Sequence, residues 1–543
     1  CSPETHPLLD PISEDEVRTA MTKMKSKAKS SSGISPFIIQ KLFLPLLSFI
    51  LIICNHSLTS YTFPTTFLES SVFFIHKKGS KMDPNNFRSI VLENPFLKLM
   101  QSILTARITS FAENNNLLPT FQFGFRKNRS TVAASSLLCE IINERLRHKK
   151  RTFACFVDFS KCFDTIRRDI LFVKLQSLGI PFELCILLDY IFRNLTFVIR
   201  SGNYLTVKFR TFIGLPQGDP LSPILFSLFT HDLPNCFPHL GTLFNGVFIK
   251  YWMFADDLCI IAESATNLQA AINGLEKYCN LNGLKINTDK TKCMAFYRGR
   301  PPSCSFVLGG AKLENTNLFK YLGFELTTQL SFSKHLNTIT AKANSRCGSL
   351  MSRLPLRSMP IDLVMEIYCC FVLPIFRYGL PLYLSFCSSA SRKAANASFT
   401  KFLKSYLGIP FHTNNAITHY ITKTRPLLET LENLAPHSLA SLVFPPEING
   451  HQLSFLKPQN PVNSYDPIPS IPSFFWRSKT FLKLPLNFHF RRKLCTEIYD
   501  LEHLTLCNNQ KFHLLNYDEC RCLGCGQLMS HYHKYLCEKY CDD

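Results

Sequence analysis

The stretch YWMFADDLCII, at residues 251–261, places two adjacent carboxylates between two apolar runs. Apolar runs separated by a short polar break predict two buried strands joined by a turn, so Asp256 and Asp257 would lie at the tip of a hairpin. Two carboxylates about 4 Å apart repel each other by roughly 4 kcal/mol at an effective dielectric of 20, and a cation between them offsets that cost. A solvated acidic turn is the alternative that this stretch alone leaves open, because Asp is common in turns.

A third acidic residue ends another apolar run upstream. Residues 153–157 read FACFV and predict a strand that is buried on at least one face, with Asp158 emerging at its end. Phosphoryl transfer with two magnesium ions roughly 3.5–4 Å apart needs several carboxylates on rigid elements, because magnesium prefers hard oxygen ligands. Asp158 facing the acidic hairpin would supply that set.

Between these two stretches lies GLPQGDPLSPILF, at residues 214–226, a loop with Gly and Pro that runs into an apolar helix. Glycine lets a backbone approach a substrate closely, and proline fixes the entry into a helix. A generic loop can look similar. The order along the chain, which is strand-terminal Asp, then this loop, then the Asp pair, is what makes the pattern specific.

In this order the chain resembles reverse transcriptases of non-LTR retrotransposons, the LINE-type elements. The resemblance covers most of residues 71–330. It rests on KKG at 77–79, FRSI at 87–90, FGFRKNRST at 123–131, FVDFSKCFDTI at 156–166, GLPQGDPLSP at 214–223, FADD at 254–257, LKINTDKTK at 284–292 and YLG at 321–323.

The resemblance implies an α+β fold, namely the right-hand polymerase with fingers, a palm built on an antiparallel sheet, and a helical thumb. It also implies an RNA-directed DNA polymerase that extends a DNA primer on an RNA template with dNTPs. The residues that match the metal-binding positions, for two Mg²⁺ ions, are Asp158, Asp256 and Asp257. Those that match nucleotide-contacting positions are Lys77, Lys78, Arg88, Phe159, Phe163, Gln217 and Gly218.

Several of these residues have a plainer alternative. Phe163 matches an aromatic that abuts the sugar of the incoming nucleotide and would exclude a ribose 2′-hydroxyl, but a core Phe after a strand is also consistent. Lys77 and Lys78 suit either triphosphate binding or a solvated basic turn. Lys290 matches a palm lysine that acts as an acid toward pyrophosphate, or is a surface lysine.

The chain also departs from the family pattern. Phe254 replaces the usual Tyr before Ala-Asp-Asp, Cys162 replaces an Ala, and Ser89 stands where Pro is common. None of these changes removes a candidate ligand, so the sequence predicts an intact catalytic set.

Composition favours a nucleic-acid partner. The formal net charge is +21 and the pI is about 9.2, which attracts phosphate backbones without reading sequence. The expected partners are an RNA template and a DNA primer or nicked target DNA. The 22 cysteines are scattered rather than arrayed in a short framework, which predicts reduced thiols in the nucleus and cytoplasm. Residues 42–54 are strongly apolar but short and contain Pro45, so we expect a buried helix and no membrane contact.

Composition shifts divide the chain into five predicted parts. They are an N-terminal extension (1–70), fingers and palm (71–328), a helical thumb or connection with exposed basic residues (329–443), a Pro-rich linker (444–475) and a C-terminal Cys/His module (476–543). In the last part Cys522, Cys525, His533 and Cys537 have spacings that suit a zinc site, with His531 as a competing ligand.

LINE-type proteins also carry an endonuclease, for which this chain offers no segment. We therefore expect a fragment or decayed copy of a longer polyprotein that synthesises DNA without nicking it. Two other interpretations remain open at this stage: a catalytically inactive remnant that binds RNA, and a reverse transcriptase of the group II intron or retron type.

Overall fold

The computed structural model describes residues 6–24, 33–77, 79–201, 204–237, 241–244, 246–409, 411–412, 415–422 and 424–440. Lys78, the predicted linker and the predicted zinc ligands Cys522, Cys525, His533 and Cys537 lie outside these residues. The described residues form a mixed fold of helices and sheets, as the predicted α+β class requires.

The helices, in chain order, are α1 Glu14–Lys23, α2 Pro36–Lys41, α3 Phe43–Ser60, α4 Pro95–Asn114, α5 Thr131–Arg147, α6 Cys162–Thr165, α7 Arg168–Ser177, α8 Phe182–Asn194, α9 Ser222–Phe229, α10 Ala265–Asn282, α11 Ser333–Arg353, α12 Ile361–Phe371, α13 Leu373–Arg377, α14 Leu380–Tyr383, α15 Ser389–Leu407, α16 Asn415–Thr422 and α17 Leu427–Ala440.

The strands are β1 Glu69–His76, β2 Phe87–Leu92, β3 Thr152–Val157, β4 Thr196–Ser201, β5 Tyr204–Leu205, β6 Phe209–Arg210, β7 Thr242–Phe244, β8 Val247–Ile249, β9 Tyr251–Phe254, β10 Asp257–Ala262, β11 Lys292–Phe296, β12 Phe306–Leu308, β13 Ala311–Asn315, β14 Leu318–Tyr321 and β15 Phe324–Thr327. Among the described residues, one compact unit comprises those up to 335 with 381–388 and 435–440, and a second comprises those within 336–380 and 389–434.

The first unit is built around a six-stranded sheet in the order β12-β13-β11-β3-β10-β9. Strand β3 lies inside it, and all six of its residues are buried. It pairs antiparallel with β10 on one side and with β11 on the other, with Leu258 opposite Val157 and Lys292 opposite Phe156. The predicted strand before Asp158 is therefore confirmed as the inner strand of this sheet.

Strands β9 and β10 form the hairpin predicted from the sequence, with Phe254 opposite Asp257 as the last pair before the turn. Ala255 and Asp256 make the two-residue turn. Ala255 has φ +58°, a left-handed conformation that costs a residue with a side chain roughly 1–2 kcal/mol and that Gly usually takes in such hairpins.

Helix α10 covers one face of this sheet. Leu268, Ile272, Leu275 and Cys279 recur at helical spacing, and all four are at most 3 % exposed. The stripe predicted as core is therefore confirmed as core.

A second sheet of the same unit has the order β2-β1-β4-β5, with β6 also paired to β4. Strands β1 and β2 form an antiparallel hairpin in which Ile75 lies opposite Arg88. Val91, near the end of β2, donates its backbone N–H to the carbonyl of Gln217 at 2.8 Å, so the hairpin is tied directly to the 214–226 loop.

Helix α3 differs from the prediction. It is longer than residues 42–54, spanning 18 residues, and only 22 % of it is buried, with Leu44 and Ile52 about 70 % exposed. The prediction of a buried helix was therefore wrong. Within the described residues, α3 alone is long and apolar enough to reach across a bilayer, which is weak support for a membrane contact when taken by itself.

The second unit is helical. Tyr368 on α12 packs its ring against Phe399 and Phe402 on α15, with centroids 4.8 and 5.2 Å away. Helix α11, which begins in the first unit, buries one stripe and exposes Lys342, Arg346 and Arg353 on another. The predicted helices with exposed basic residues are therefore present.

The N-terminal segment is held to helix α4 by one arginine. Arg107 binds both carboxylate oxygens of Glu16, at 2.6 and 2.8 Å, and donates to the backbone carbonyl of Asp10 at 2.6 Å. Its side chain is only 11 % exposed, and its hydrogen bond to Glu16 lowers the pKa of that carboxyl.

We expect Arg107→Ala to lower the free energy of unfolding by roughly 3 kcal/mol, because it strands a half-buried carboxylate and several backbone carbonyls. Urea titration measures the change. Arg18→Ala, which removes an exposed pair with Glu14 on helix α1, is the matched control and should cost less than about 1 kcal/mol. Equal losses for the two variants would contradict the role assigned to Arg107.

Candidate nucleotidyl-transfer site

The register of β3 against β10 brings the predicted acidic residues to one edge of the sheet. Because Val157 pairs with Leu258, the next position on each strand places Asp158 opposite Asp257. Asp256 precedes Asp257 in the hairpin turn. Two segments about a hundred residues apart in the chain thus deliver three carboxylates to one corner.

The three carboxylates interact electrostatically. The pKa of the Asp257 carboxyl is raised to about 6. Burial, which removes hydrating water, is the main cause, and the charges of Asp256 and Asp158 add to it. This occurs although the Asp257 residue is solvent-exposed, so the neighbouring charges and surrounding protein act on a group that water can still reach. The corner therefore carries negative charge that a cation would offset.

Two of these carboxylates also have other partners. Lys290 Nζ lies 3.6 Å from Asp158 Oδ2, and the Cys162 thiol donates to Asp256 Oδ2 at 3.5 Å. Across the part of the chain that the structure describes, no group of three or more His, Cys, Asp or Glu side chains is arranged to hold a metal ion as it stands.

The donor set nevertheless fits a hard divalent cation. All three candidate ligands are carboxylates, which Mg²⁺ prefers, and they stand on a strand end and a tight hairpin rather than on a long loop. Burial is the main cause of the raised pKa of Asp257, and the charges of Asp256 and Asp158, which a bound cation would offset, add to it.

The backbone around Asp158 is fixed by the segment before β11. Asn287 donates its N–H to the Asp158 carbonyl at 2.8 Å, and Asp158 donates its N–H to Thr291 Oγ1 at 3.2 Å. Phe159, a predicted nucleotide contact, is 7 % exposed and bridges to Ile286 through its backbone. Its side chain therefore lies in the core.

Phe163 lies near the same corner. It is half-buried, and its ring centroid is 4.8 Å from that of Phe226 on α9. Its carbonyl accepts a hydrogen bond from the N–H of Leu215 at 2.7 Å, which ties it to the 214–226 loop.

Gln217 and Gly218 lie on the 214–226 loop where it meets the β1–β2 hairpin. Gln217 donates to Asp164 Oδ1 at 3.4 Å, and Gly218 is exposed. Gly218 has φ +119°, and a Cβ there would lie 2.6 Å from the carbonyl oxygen of Val91. Only glycine fits this close approach.

The start of the loop is held by Arg168, which sequence reasoning missed. This arginine is 5 % exposed and donates to the carbonyl of Gly214 at 2.8 Å, to that of Thr211 at 2.8 Å and to that of Ile213 at 3.3 Å. Burial lowers its pKa to about 10, so it remains charged at neutral pH.

Two of the predicted cations, Arg88 and Lys77, are exposed on the β1–β2 hairpin. Arg88 faces solvent on β2, and Lys77, just after β1, is close enough to Asp164 to lower the pKa of that carboxyl against the larger, opposing effect of burial. Lys77 also donates its backbone N–H to the carbonyl of Asn86 at 2.8 Å, which closes the hairpin.

A buried carboxyl pair supports the same loop and was not predicted either. Glu93 is 6 % exposed and Asp219 is 3 % exposed, and Glu93 Oε2 and Asp219 Oδ2 each lack a hydrogen-bond partner. Burial is the main cause that raises both pKa values, to about 7 for Asp219 and well above the usual range for Glu93, where the charge of Asp219 adds to the effect. At neutral pH the pair therefore retains at least one proton.

Gln122 is a further residue that sequence reasoning missed. It directly precedes the FGFRKNRST stretch, is fully buried, and hydrogen-bonds the backbone of Ala255. A single sequence gives no signal for it, because its partner lies 133 residues later in the chain.

The chain is similar to known proteins over most of its described length. Residues 75–326 match the family described as reverse transcriptase (RNA-dependent DNA polymerase). The chain is 27 % identical over 388 residues to a probable RNA-directed DNA polymerase from transposon BS of Drosophila melanogaster, a match that covers 69 % of this chain and 42 % of the relative. It is 26 % identical over 439 residues to the polymerase from mobile element jockey of the same fly, covering 79 % and 47 %.

A further relative is a retrovirus-related Pol polyprotein from the type-2 retrotransposable element R2DM of Drosophila melanogaster. It is 25 % identical over 327 residues, which is 58 % of this chain and 30 % of the relative. The chain thus spans less than half the length of each of these relatives.

The sheet that gathers three carboxylates at one corner is mixed, because β11 and β13 pair parallel while its other neighbours pair antiparallel. It lies within residues 75–326, and the reverse transcriptase domain that these residues match implies the right-hand polymerase fold. Beyond that domain, the chain is similar to RNA-directed DNA polymerases of non-LTR retrotransposons, at 26–27 % identity over the aligned residues.

The buried pair beneath the loop generates a pH prediction. Both carboxyl groups keep protons in the folded state after the unfolded chain has released them, so their contribution to stability falls as the pH rises from about 4 toward the Asp219 value of about 7. Glu93→Gln removes one of these titrations and supplies a donor. We expect it to raise the free energy of unfolding by about 1–3 kcal/mol near pH 8.

Urea titrations at about pH 5 and pH 8 measure this effect, since the gain should shrink at the lower pH. Glu276→Gln, on the partly exposed face of helix α10, is the control and should show no such pH dependence. A Glu93→Gln variant whose stability difference from wild type is the same at both pH values would contradict the raised pKa of the Glu93 carboxyl.

Proposed function

We propose that this protein is the RNA-directed DNA polymerase of a LINE-type retrotransposon and extends a DNA primer on an RNA template. The observation that carries the proposal is the convergence of Asp158, Asp256 and Asp257 through the β3–β10 register. The charges of Asp256 and Asp158 are close enough to Asp257 to add to the effect of burial in raising the pKa of its carboxyl. The relatives named as RNA-directed DNA polymerases support the choice of template and product.

Each of the site residues then has a role. Asp158, Asp256 and Asp257 would hold two Mg²⁺ ions, which would supply electrostatic stabilisation to the attacking primer hydroxyl, the transferred phosphoryl group and the leaving pyrophosphate. Lys290, whose Nζ is 3.6 Å from Asp158 Oδ2, is placed to donate a proton to the pyrophosphate.

The nucleotide is held from two sides. Arg88 and Lys77, exposed on the β1–β2 hairpin, bind triphosphate oxygens, with the Arg guanidinium suited to a bidentate contact. Gln217 and Gly218 position the nucleotide from the loop that the Val91 N–H holds through the Gln217 carbonyl. Phe163 limits space next to the sugar, since its ring is supported from behind by Phe226.

Template and primer are bound through charge. The chain carries a net charge of +21, and helix α11 exposes Lys342, Arg346 and Arg353 at intervals that form one stripe. Neutralising phosphates with such residues releases counterions, so nucleic-acid affinity should fall steeply with salt.

Two further parts of the proposal concern location and zinc. None of the cysteines that the structure describes forms a disulfide, which suits the reducing nucleus and cytoplasm. The spacing of Cys522, Cys525, His533 and Cys537 supports a zinc-dependent module that binds nucleic acid.

Primer extension on an RNA template with dNTPs and Mg²⁺ tests the activity. We expect Asp256→Asn to lower the extension rate by on the order of 10²–10³-fold, because it removes a charged ligand from the corner. Asp189→Asn, which removes a carboxylate from an ion pair with Arg193 on helix α8, is the matched control and should extend at the wild-type rate.

Binding of the RNA–DNA hybrid by the wild type without extension would contradict the proposal and favour an inactive remnant. Equal extension by Asp256→Asn and the wild type would also contradict the proposal, because the activity would then come from another source.

The sugar contact gives a separate prediction. Phe163→Val opens space beside the nucleotide, so the ratio of NTP to dNTP incorporation should rise by about 10–200-fold. Extension with each nucleotide type in turn measures this ratio, and the rate with dNTP serves as the internal control for folding. An unchanged ratio in an active variant would assign Phe163 to the core instead.

A further inference from the structure

The turn that carries Asp256 and Asp257 is unusual in its first residue. Ala255 adopts φ +58° at a position that Gly normally occupies in two-residue hairpins, and the last ladder pair of the hairpin is Phe254 with Asp257. The polar backbone groups of Ala255 therefore find no partner within the hairpin ladder itself, and something outside the hairpin must satisfy them.

Gln122 supplies that partner. Its side-chain oxygen Oε1 accepts the Ala255 N–H at 3.0 Å, and its Nε2 donates to the Ala255 carbonyl at 3.2 Å. The same Oε1 accepts the N–H of Gly124 at 2.8 Å, which fixes the carboxamide itself. The side chain is fully buried, so water does not compete for these bonds.

The backbone around Gln122 is locked to the same strand. Phe123 donates its N–H to the Met253 carbonyl at 2.7 Å, and Met253 donates its N–H to the Phe121 carbonyl at 2.9 Å. A Cβ on Gly124 would lie 2.1 Å from the Ala255 nitrogen, so the two backbones meet without room for a side chain. Residues 121–124 thus form a brace beside β9 that ends at the turn.

We propose that Gln122 is a positioning residue for the metal-binding carboxylates, because its carboxamide holds the Ala255 peptide in the left-handed conformation that presents Asp256 and Asp257 toward Asp158. The proposal rests on the proposed polymerase function for its consequence in catalysis. Its structural content, which is the dependence of the divalent-ion site on Gln122, stands apart from any polymerase assay.

Binding of Mn²⁺ alone, followed by the EPR signal of the free ion, tests the proposal without nucleic acid or turnover. Gln122→Met keeps the side-chain length and removes all three hydrogen bonds. We expect its Mn²⁺ affinity to fall by about tenfold, in the range typical of residues that orient metal ligands. Gln122→Asn, which keeps an amide but shortens the side chain, should weaken binding in the same direction and is the milder variant if Gln122→Met fails to fold.

Gln40→Met is the matched control. Gln40 also bonds backbone carbonyls, those of Met21 and Met24 at 2.7 and 2.8 Å, but it stands on helix α2 outside the sheet. It should lower stability without changing Mn²⁺ affinity. Adding Ala255→Gly to Gln122→Met should restore part of the affinity, because glycine adopts a positive φ without support.

Primer extension gives a second readout that a purely structural role would not produce. The Mg²⁺ concentration for half-maximal extension should rise in Gln122→Met, while the rate at saturating Mg²⁺ recovers toward wild type. Wild-type Mn²⁺ affinity in a folded Gln122→Met or Gln122→Asn variant would overturn the proposal, as would an equal loss in Gln40→Met.

The two hypotheses fail in different ways. Wild-type protein that binds Mn²⁺ in a Gln122-dependent manner but does not extend a primer would refute the polymerase and leave the positioning role in place. Wild-type protein that extends primers while Gln122 variants bind Mn²⁺ normally would refute the positioning role alone. A wild type that binds no Mn²⁺ at all would overturn the positioning role, while primer extension would still decide whether the protein is a polymerase.

Discussion

The antiparallel register between β3 and β10 is the constraint on which the site depends. With Val157 opposite Leu258, the strand end at Asp158 and the hairpin tip at Asp257 must meet. A slip of one residue would move each β3 side chain to the other face of the sheet, and the close packing of these six buried side chains opposes such a slip. Hydrophobic burial therefore stabilises an arrangement of like charges that would separate in a less constrained chain.

The surroundings hold this corner mainly through backbone groups. Asn287 and Thr291 bond the backbone of Asp158, Gln122 bonds that of Ala255, and Arg168 bonds carbonyls at the start of the neighbouring loop. Backbone contacts do not depend on the side chain at the contacted position. The departure Cys162 adds a thiol that donates to Asp256.

Local patterns predicted much of the fold. The β9–β10 hairpin and the strand before Asp158 follow from continuous apolar runs, and the buried stripe of helix α10 follows from helical spacing. These patterns are local, because each involves residues that are close in sequence. Helix α3 shows the limit of that reasoning, since hydropathy indicates an apolar helix but does not say whether another element covers it. Phe159 shows the same limit, because its position beside Asp158 suggested a substrate contact while the fold placed its ring in the core.

The supporting residues were beyond reach for a different reason. Gln122, Arg168 and Glu93 act through partners that are distant in sequence, and a buried polar residue gains its meaning only from the group it meets. The resemblance in motifs identified the candidate metal-binding carboxylates, and the structure identified the residues that support them.

The central claim is that Asp158, Asp256 and Asp257 together hold the divalent ions of nucleotidyl transfer. Anomalous diffraction from crystals of the protein with primer, RNA template, dNTP and Mn²⁺ measures this directly. The account predicts two anomalous peaks roughly 3.5–4 Å apart within ligand distance of these three carboxylates. Peaks elsewhere, or none at this corner when a nucleotide is bound, would contradict it.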